Sequence, residues 1–200
     1  MSTIPLSNES PRLTVEEYFK FDEKSEVRHE FSNGILRPKG DRSKRHNHLV
    51  GNAADIFKSV FRPRGCSVYT QSVKLEVVKN KHYAFPDVTL ISHDFDAEDE
   101  YLMTFPNLII EIAEPTDEGF YQGTKFQRHQ QIPSLKYYLI INEKQCWVDV
   151  YCRSEDPKRW SYHIYNEIEN VINFPKLNFT MALSDIYKDI TFDPPETWDL

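Results

Sequence analysis

In the run Leu-Ile-Ile-Glu-Ile-Ala at 108–113 a single carboxylate interrupts an otherwise apolar strand pattern. A period of two puts Leu108, Ile110 and Ile112 on one face, and Ile109, Glu111 and Ala113 on the other. Apart from Glu111 both faces are apolar, the pattern of a central, doubly covered strand. A carboxylate placed there is costly unless a cation or hydrogen-bond donors accompany it. Glu111 therefore reads either as a functional group or as a structural one, in an ion pair or at an exposed strand end. Asp87 stands in Phe-Pro-Asp-Val-Thr-Leu-Ile. Pro86 cannot donate to a ladder, so Asp87 belongs at a strand start or sheet edge. From there it could face the Glu of a neighbouring strand, or simply cap a turn.

Three further groups could join them. Lys125, Arg128 and His129 share one helix face by their spacing, which by itself describes a solvated face. Glu30 lies on a strand in Arg-His-Glu-Phe-Ser-Asn-Gly. His46 opens a helix inside a basic cluster with Lys39, Arg42, Lys44 and Arg45. That cluster reads as a solvated loop or as a local phosphate-binding patch.

Several chemistries are excluded. His46 and His48 are two apart, so their rings leave opposite sides of a helix and make no zinc pair. There is no GxGxxG, P-loop or GxSxG, which removes the nucleotide-binding and serine-hydrolase templates. Cys66, Cys146 and Cys152 are odd in number and lack CxxC spacing, favouring a reducing, cytoplasmic compartment over a disulfide framework. The first residues lack a basic region followed by an apolar run, and the longest apolar stretches are strand-sized, so neither a signal peptide nor a membrane span is expected. A net charge of −7 argues against a protein that coats nucleic acid, while leaving room for a local basic groove.

The elements that must position these residues follow from pattern. Twelve prolines and 14% aromatics suit a strand-rich, turn-rich chain. Residues 1–12 read as a flexible arm, 13–192 as one domain and 193–200 as a loose tail. Thr14 and Glu17 form a capping box for a helix to about Phe21. A hairpin follows, with strands near Glu26–Phe31 and Ile35–Pro38 turning on Asn33-Gly34. A helix is expected near His46–Phe61, stopped by Pro63-Arg64-Gly65. Strands are expected at about Ser67–Val78 and Ala84–Ile91, then an acidic loop at 93–100 and the strand Leu108–Ala113. A helix near Tyr121–Gln131 precedes strands near Tyr137–Ile141, Trp147–Cys152, Trp160–Tyr165 and Val171–Phe179, and Ser184–Tyr187 forms a last helical turn. The sum is an α/β (α+β) chain with a mixed sheet flanked by helices.

Read in order, these pieces resemble the Uma2 family of predicted endonucleases, within the PD-(D/E)xK restriction-endonuclease-like superfamily. The resemblance runs from Leu-Thr-Val-Glu-Glu-Tyr near Leu13 to about Tyr151. It takes in Glu-Phe-Ser-Asn-Gly-Ile, Arg-His-Asn-His-Leu-Val-Gly-Asn, the Pro86-Asp87-Val88 step, the 108–116 run ending Glu-Pro-Thr, Gly-Thr-Lys-Phe, Ile-Pro-Ser-Leu-Lys-Tyr-Tyr-Leu-Ile and Val-Asp-Val-Tyr. It implies a restriction-endonuclease-like fold and a phosphodiesterase centre in which Asp87 and Glu111 hold Mg²⁺ or Mn²⁺, with the Ile112 carbonyl as a further ligand. Glu30 matches an extra acidic position of the family, and Lys125 its lysine, shifted from the strand to the next helix. His46 matches a family histidine. Three positions depart: Glu114 replaces a usual Ser, Tyr121 a usual Asp and His129 a common Tyr.

The implied activity is Mg²⁺-dependent hydrolysis of DNA, with RNA an alternative substrate and a homodimer expected for double-strand cleavage. The competing reading is a catalytically silent nucleic-acid-binding or assembly protein on the same scaffold.

Overall fold

A computed structural model describes residues 12–92, 100–113 and 120–192. The expected arm and tail, apart from residue 12, lie outside the described residues, as do residues 93–99 of the acidic loop.

Helix α1 (Val15–Asp22) opens on the expected capping box: Glu17 N donates to Thr14 Oγ1 at 3.2 Å and Thr14 N to Glu17 Oε2 at 2.8 Å. The hairpin β1 (His29–Ser32) and β2 (Ile35–Pro38) turns on Asn33 and Gly34, both at positive φ, 50° and 87°, as a tight hairpin turn matching strand twist requires. Gly34 is needed twice over, because a Cβ there would lie 2.6 Å from Arg12 Cβ. Helix α2 (Lys44–Phe61) is capped by Ser43, whose Oγ accepts from His46 N at 2.9 Å. It ends before Gly65, which is left-handed at φ 77°.

Here the structure corrects the expected strands. The stretch 67–78 is two strands, β3 (Ser67–Thr70) and β4 (Lys74–Val78), and 84–91 belongs to β5 (His82–Ala84) and β6 (Val88–Ile91). β3 pairs with β6, and β4 with β5. Together they form one long hairpin bent across its middle, with the tip at Asn80 (φ 57°) and the bend at Gln71 (φ 42°) and Phe85-Pro86-Asp87. Pro86 brings no amide proton to the ladder, and its carbonyl accepts from Gln71 N at 3.1 Å, so the bend leaves few backbone groups stranded.

The rest of the chain supplies β7 (Leu102–Met103), β8 (Leu108–Ala113), β9 (Tyr137–Asn142), β10 (Val148–Arg153) and β11 (Trp160–Tyr165). A six-stranded main sheet runs β11-β10-β9-β8-β6-β3, and a second sheet runs β2-β1-β5-β4-β7. In the main sheet β8 and β9 are parallel and the other pairs antiparallel. Every residue of β8 and β9 is buried, as expected for strands covered on both faces. Between them the expected 121–131 helix is instead a wide π turn, Phe120–Lys125, and a short helix α3 (Phe126–His129). The last expected strand folds back at Pro175 and left-handed Asn178 into a hairpin, β12 (Val171–Phe174) and β13 (Phe179–Ala182), before α4 (Leu183–Ile186).

One face of the main sheet packs Val88, Leu90, Leu108, Ile110 and Ile112 against Leu49, Ala53 and Phe57 of α2. The other packs Ile109, Ala113, Tyr138 and Ile140 against Leu75, Val77 and Met103 of the second sheet. Each Val, Leu, Ile, Phe or Met among them contributes about 1.5–3 kcal/mol when fully buried. An unpaired carboxylate in the same layer would cost several. No helix among the described residues is long and apolar enough to cross a membrane.

Candidate metal centre

Val88 pairs with Ile110 across the β6–β8 ladder, so the bend delivers Asp87 beside Glu111. Both are fully buried. Alternation puts Glu111 on the face of Ile109 and Ala113, away from α2.

Asp87 is heavily supplied with donors. Its Oδ1 lies 2.9 Å from Lys39 Nζ and 3.4 Å from Gln71 Nε2; its Oδ2 accepts from Ile112 N at 2.8 Å and lies 3.2 Å from His46 Nε2. Burial by itself would raise this carboxyl. Lys39, then His46, then the Ile112 amide outweigh that and hold it below the ordinary carboxylate range. Since Asp87 only accepts, His46 carries its proton on Nε2, and Gln71 Nε2 approaches the other nitrogen, Nδ1, at 3.5 Å. Lys39 also donates to the Phe85 carbonyl, tying the end of β2 to the bend.

Glu111 is under-supplied. Lys125 Nζ stands 2.9 Å from its Oε1 as an ion pair, yet neither carboxylate oxygen has a directed hydrogen bond among the described residues. Burial is the main cause that pushes its carboxyl up to about 7; Asp87 and Glu30 add to the rise, and Lys125 and Lys39 oppose it. Lys125 also reaches Glu30 Oε1 on β1 at 3.0 Å. There burial is outweighed by Lys125 and Lys39, and the carboxyl is lowered. One ammonium thus bridges two carboxylates of opposite tendency.

Asp87, Glu111, Glu30, Lys125, Lys39 and His46 therefore converge, joined by the Ile112 amide. Of the remaining basic residues, Lys44 is exposed, and Arg42 and Arg45 are half-buried about the start of α2. Gln71 and Glu143 went unnoticed in the sequence. Glu143 follows β9, is buried, and accepts from Ser43 Oγ, while its Oε2 has no partner among the described residues. No local period marks either residue, because their partners lie 16 to 100 positions away.

The donor set suits a hard divalent cation. Two buried carboxylates offer oxygens, and Glu111 Oε2 has no partner among the described residues. A closed cage of three or more His, Cys, Asp or Glu side chains is absent among the described residues; ammonium and imidazole groups balance the carboxylates instead.

A family model named Uma2 and described as "putative restriction endonuclease" matches residues 15–184. The chain belongs to the Uma2 family. Two uncharacterized Synechocystis proteins are similar to it. One, slr1290, is 24% identical over 91% of this chain and 95% of its own length; the other, sll1609, is 27% identical over 74% and 84%. A crystal structure from Anabaena variabilis, described as a "putative nuclease belonging to DUF820", superposes with a TM-score of 0.71. It covers 88% of this chain and 97% of its own at 16% identity, a likeness of fold. Of the three positions at which this Uma2 chain departs from the expected pattern, Glu114 and the side chain of Tyr121 lie outside the described residues. His129 is buried, with Nδ1 2.8 Å from the Lys125 carbonyl. Burial first, then Lys125, holds the imidazole down to about 4. It is neutral at pH 7 and donates from Nδ1.

Proposed function

We propose that this Uma2 chain is a divalent-cation-dependent nuclease that hydrolyses DNA phosphodiester bonds at Asp87 and Glu111. The observation that carries this reading is the under-supplied Glu111 carboxylate beside the fully ionised Asp87, both buried. Asp87 and Glu111 would hold Mg²⁺ or Mn²⁺, with the Ile112 carbonyl and Glu30 completing the shell. When bound, such a cation supplies Lewis-acid polarisation of a phosphoryl oxygen.

The chain's own groups have distinct tasks. Lys39, His46 and the Ile112 amide keep Asp87 ionised and aimed. Glu111, its carboxyl raised to about 7, would hold the cation as a carboxylate, its proton passing to solvent. Lys125, held by Glu30, places an ammonium where charge develops on the phosphate or where the attacking water must be oriented. Arg42, Lys44 and Arg45 meet the flanking phosphates, a local basic patch on an acidic protein. A single centre cuts one strand, so double-strand cleavage would recruit a second copy.

A catalytically silent binding or assembly protein is the second reading. It is favoured by Lys39, whose ammonium already neutralises Asp87. One experiment separates the two. Supercoiled plasmid is expected to be nicked with Mg²⁺ or Mn²⁺, and EDTA to stop the reaction. A single-stranded RNA assayed in parallel tells whether DNA is the preferred polymer. Absence of cleavage of either polymer, with Mn²⁺ bound, would leave the silent reading standing.

A further inference from the structure

Glu111 pairs with Ile140 on β9, and Ile140 pairs with Asp149 on β10. Directly paired residues point to the same face, so Glu111 and Asp149 stand in one row two strand spacings, about 10 Å, apart. Asp149 is buried. Its carboxylate accepts from three neutral donors: Gln122 Nε2 at 2.7 Å on Oδ2, and Trp147 Nε1 at 3.0 Å and Tyr162 Oη at 2.7 Å on Oδ1. A buried polar side chain in this layer needs such partners, and through them Asp149 ties neighbouring segments to β10.

What it holds is the turn that carries Lys125. Gln122 lies three residues before Lys125 in the Phe120–Lys125 turn. That segment rests on the row at two points, Gln122 on Asp149 and Lys125 on Glu111. A third anchor follows directly. Phe126 stacks on Tyr151 with ring centroids 4.0 Å apart and meets Trp160 edge-on at 5.3 Å. Asp149 and Tyr151 share one face of β10, and Tyr162 on β11 closes over both, 4.9 Å from the Tyr151 ring. A π turn is a rare, single-turn feature frequent at functional sites, and here side chains on both sides of Lys125 tie it to the sheet.

We propose that Asp149 and Gln122 are positioning residues that clamp the 120–125 turn to the main sheet and so hold the Lys125 ammonium between Glu111 and Glu30. This rests on the nuclease reading for its effect on rate, though not for its effect on the turn. Gln122→Ala is the decisive variant, since Gln122 is only half-buried and Asp149 keeps two donors. In it, kcat for plasmid nicking is expected to fall on the order of 10- to 100-fold, the range for a displaced catalytic group, with KM unchanged. Asp149→Asn should give a loss of the same kind that does not add to that of Gln122→Ala. In a Lys125→Ala background, Gln122→Ala should cost nothing further. A full-sized loss in that background would overturn the proposal. Amide exchange gives a reading independent of activity: acceleration confined to 120–125, with 87–91 and 108–113 unchanged, supports the clamp, and unchanged exchange at 120–125 overturns it. If the parent chain cuts nothing, the nuclease reading falls alone and the exchange result still decides the clamp.

Discussion

Asp87→Asn is expected to slow metal-dependent plasmid nicking by on the order of 10²–10³-fold, the scale seen when one essential electrostatic group is removed from an active site. Binding of Mn²⁺ should weaken with it. The substitution preserves volume but inverts half of the hydrogen-bond pattern. The new amide oxygen can still accept from Lys39 and Gln71, whereas the amide nitrogen would face His46 Nε2 and the Ile112 amide, both donors. Lys39 would lose its counter-charge in a largely buried setting. Breaking such a pair costs about 3–5 kcal/mol, so nicking must be compared at a temperature where melting curves show both chains folded. Nicking at the parental rate by folded Asp87→Asn would remove Asp87 from the reaction.

Glu111→Gln should behave in the opposite way towards stability while sharing the loss of activity. In the parent chain, without divalent cations, the Glu111 carboxyl sits at about 7, well above the roughly 4.3 of an unfolded glutamate. Its protonated form stabilises the fold fully below the unfolded value. That contribution is lost as pH rises through about 7, and it amounts to a few kcal/mol across the window. Gln cannot ionise. The stability of Glu111→Gln relative to the parent should therefore grow between about pH 5 and 8, then level off. His129 runs counter to this in both chains, because its depressed imidazole costs stability as pH falls below its ordinary value. Asp87 and Glu30, both lowered, lose stability only at lower pH. The difference between the two chains isolates Glu111. Denaturant titrations at pH 5, 6, 7 and 8 in EDTA would measure it, and millimolar Mn²⁺ should flatten the parent's slope. A difference independent of pH would mean that Glu111 ionises as an ordinary carboxylate. A variant more stable at pH 8 yet unable to nick DNA would separate catalysis from folding.

Parts of this arrangement were legible in the residues and parts were not, for a physical reason. The 108–113 run showed its central, buried position because alternation and composition are local properties. Thr14 with Glu17, and Asn33 with Gly34, marked their cap and turn for the same cause. Pro86 marked an interruption beside Asp87. Alternation continues through a sheet-to-sheet crossing, however, so 67–78 and 84–91 each looked like one strand. The helix-face pattern of Lys125, Arg128 and His129 resembled a solvated surface, and only the tertiary packing buries Lys125 and His129. The engagement of Lys39 with Asp87, 48 positions away, belongs to topology. Gln71, Glu143 and Asp149 were ordinary polar residues until strand order brought their partners to them.

The bent hairpin has a consequence for how this chain can tolerate change. Its tip, at Asn80-Lys81, is far along the ladder from Asp87 and can absorb extra length at the small entropic cost of a longer loop. Its elbow cannot. One residue inserted between Asp87 and Val88 would reverse the facing of every position on one side of the join. The carboxylate would turn towards α2, or the apolar side chains of β6 would leave it. Variation in this scaffold is thus partitioned along a single ribbon, permissive at one end and intolerant at the fold line, and the acid sits on the fold line.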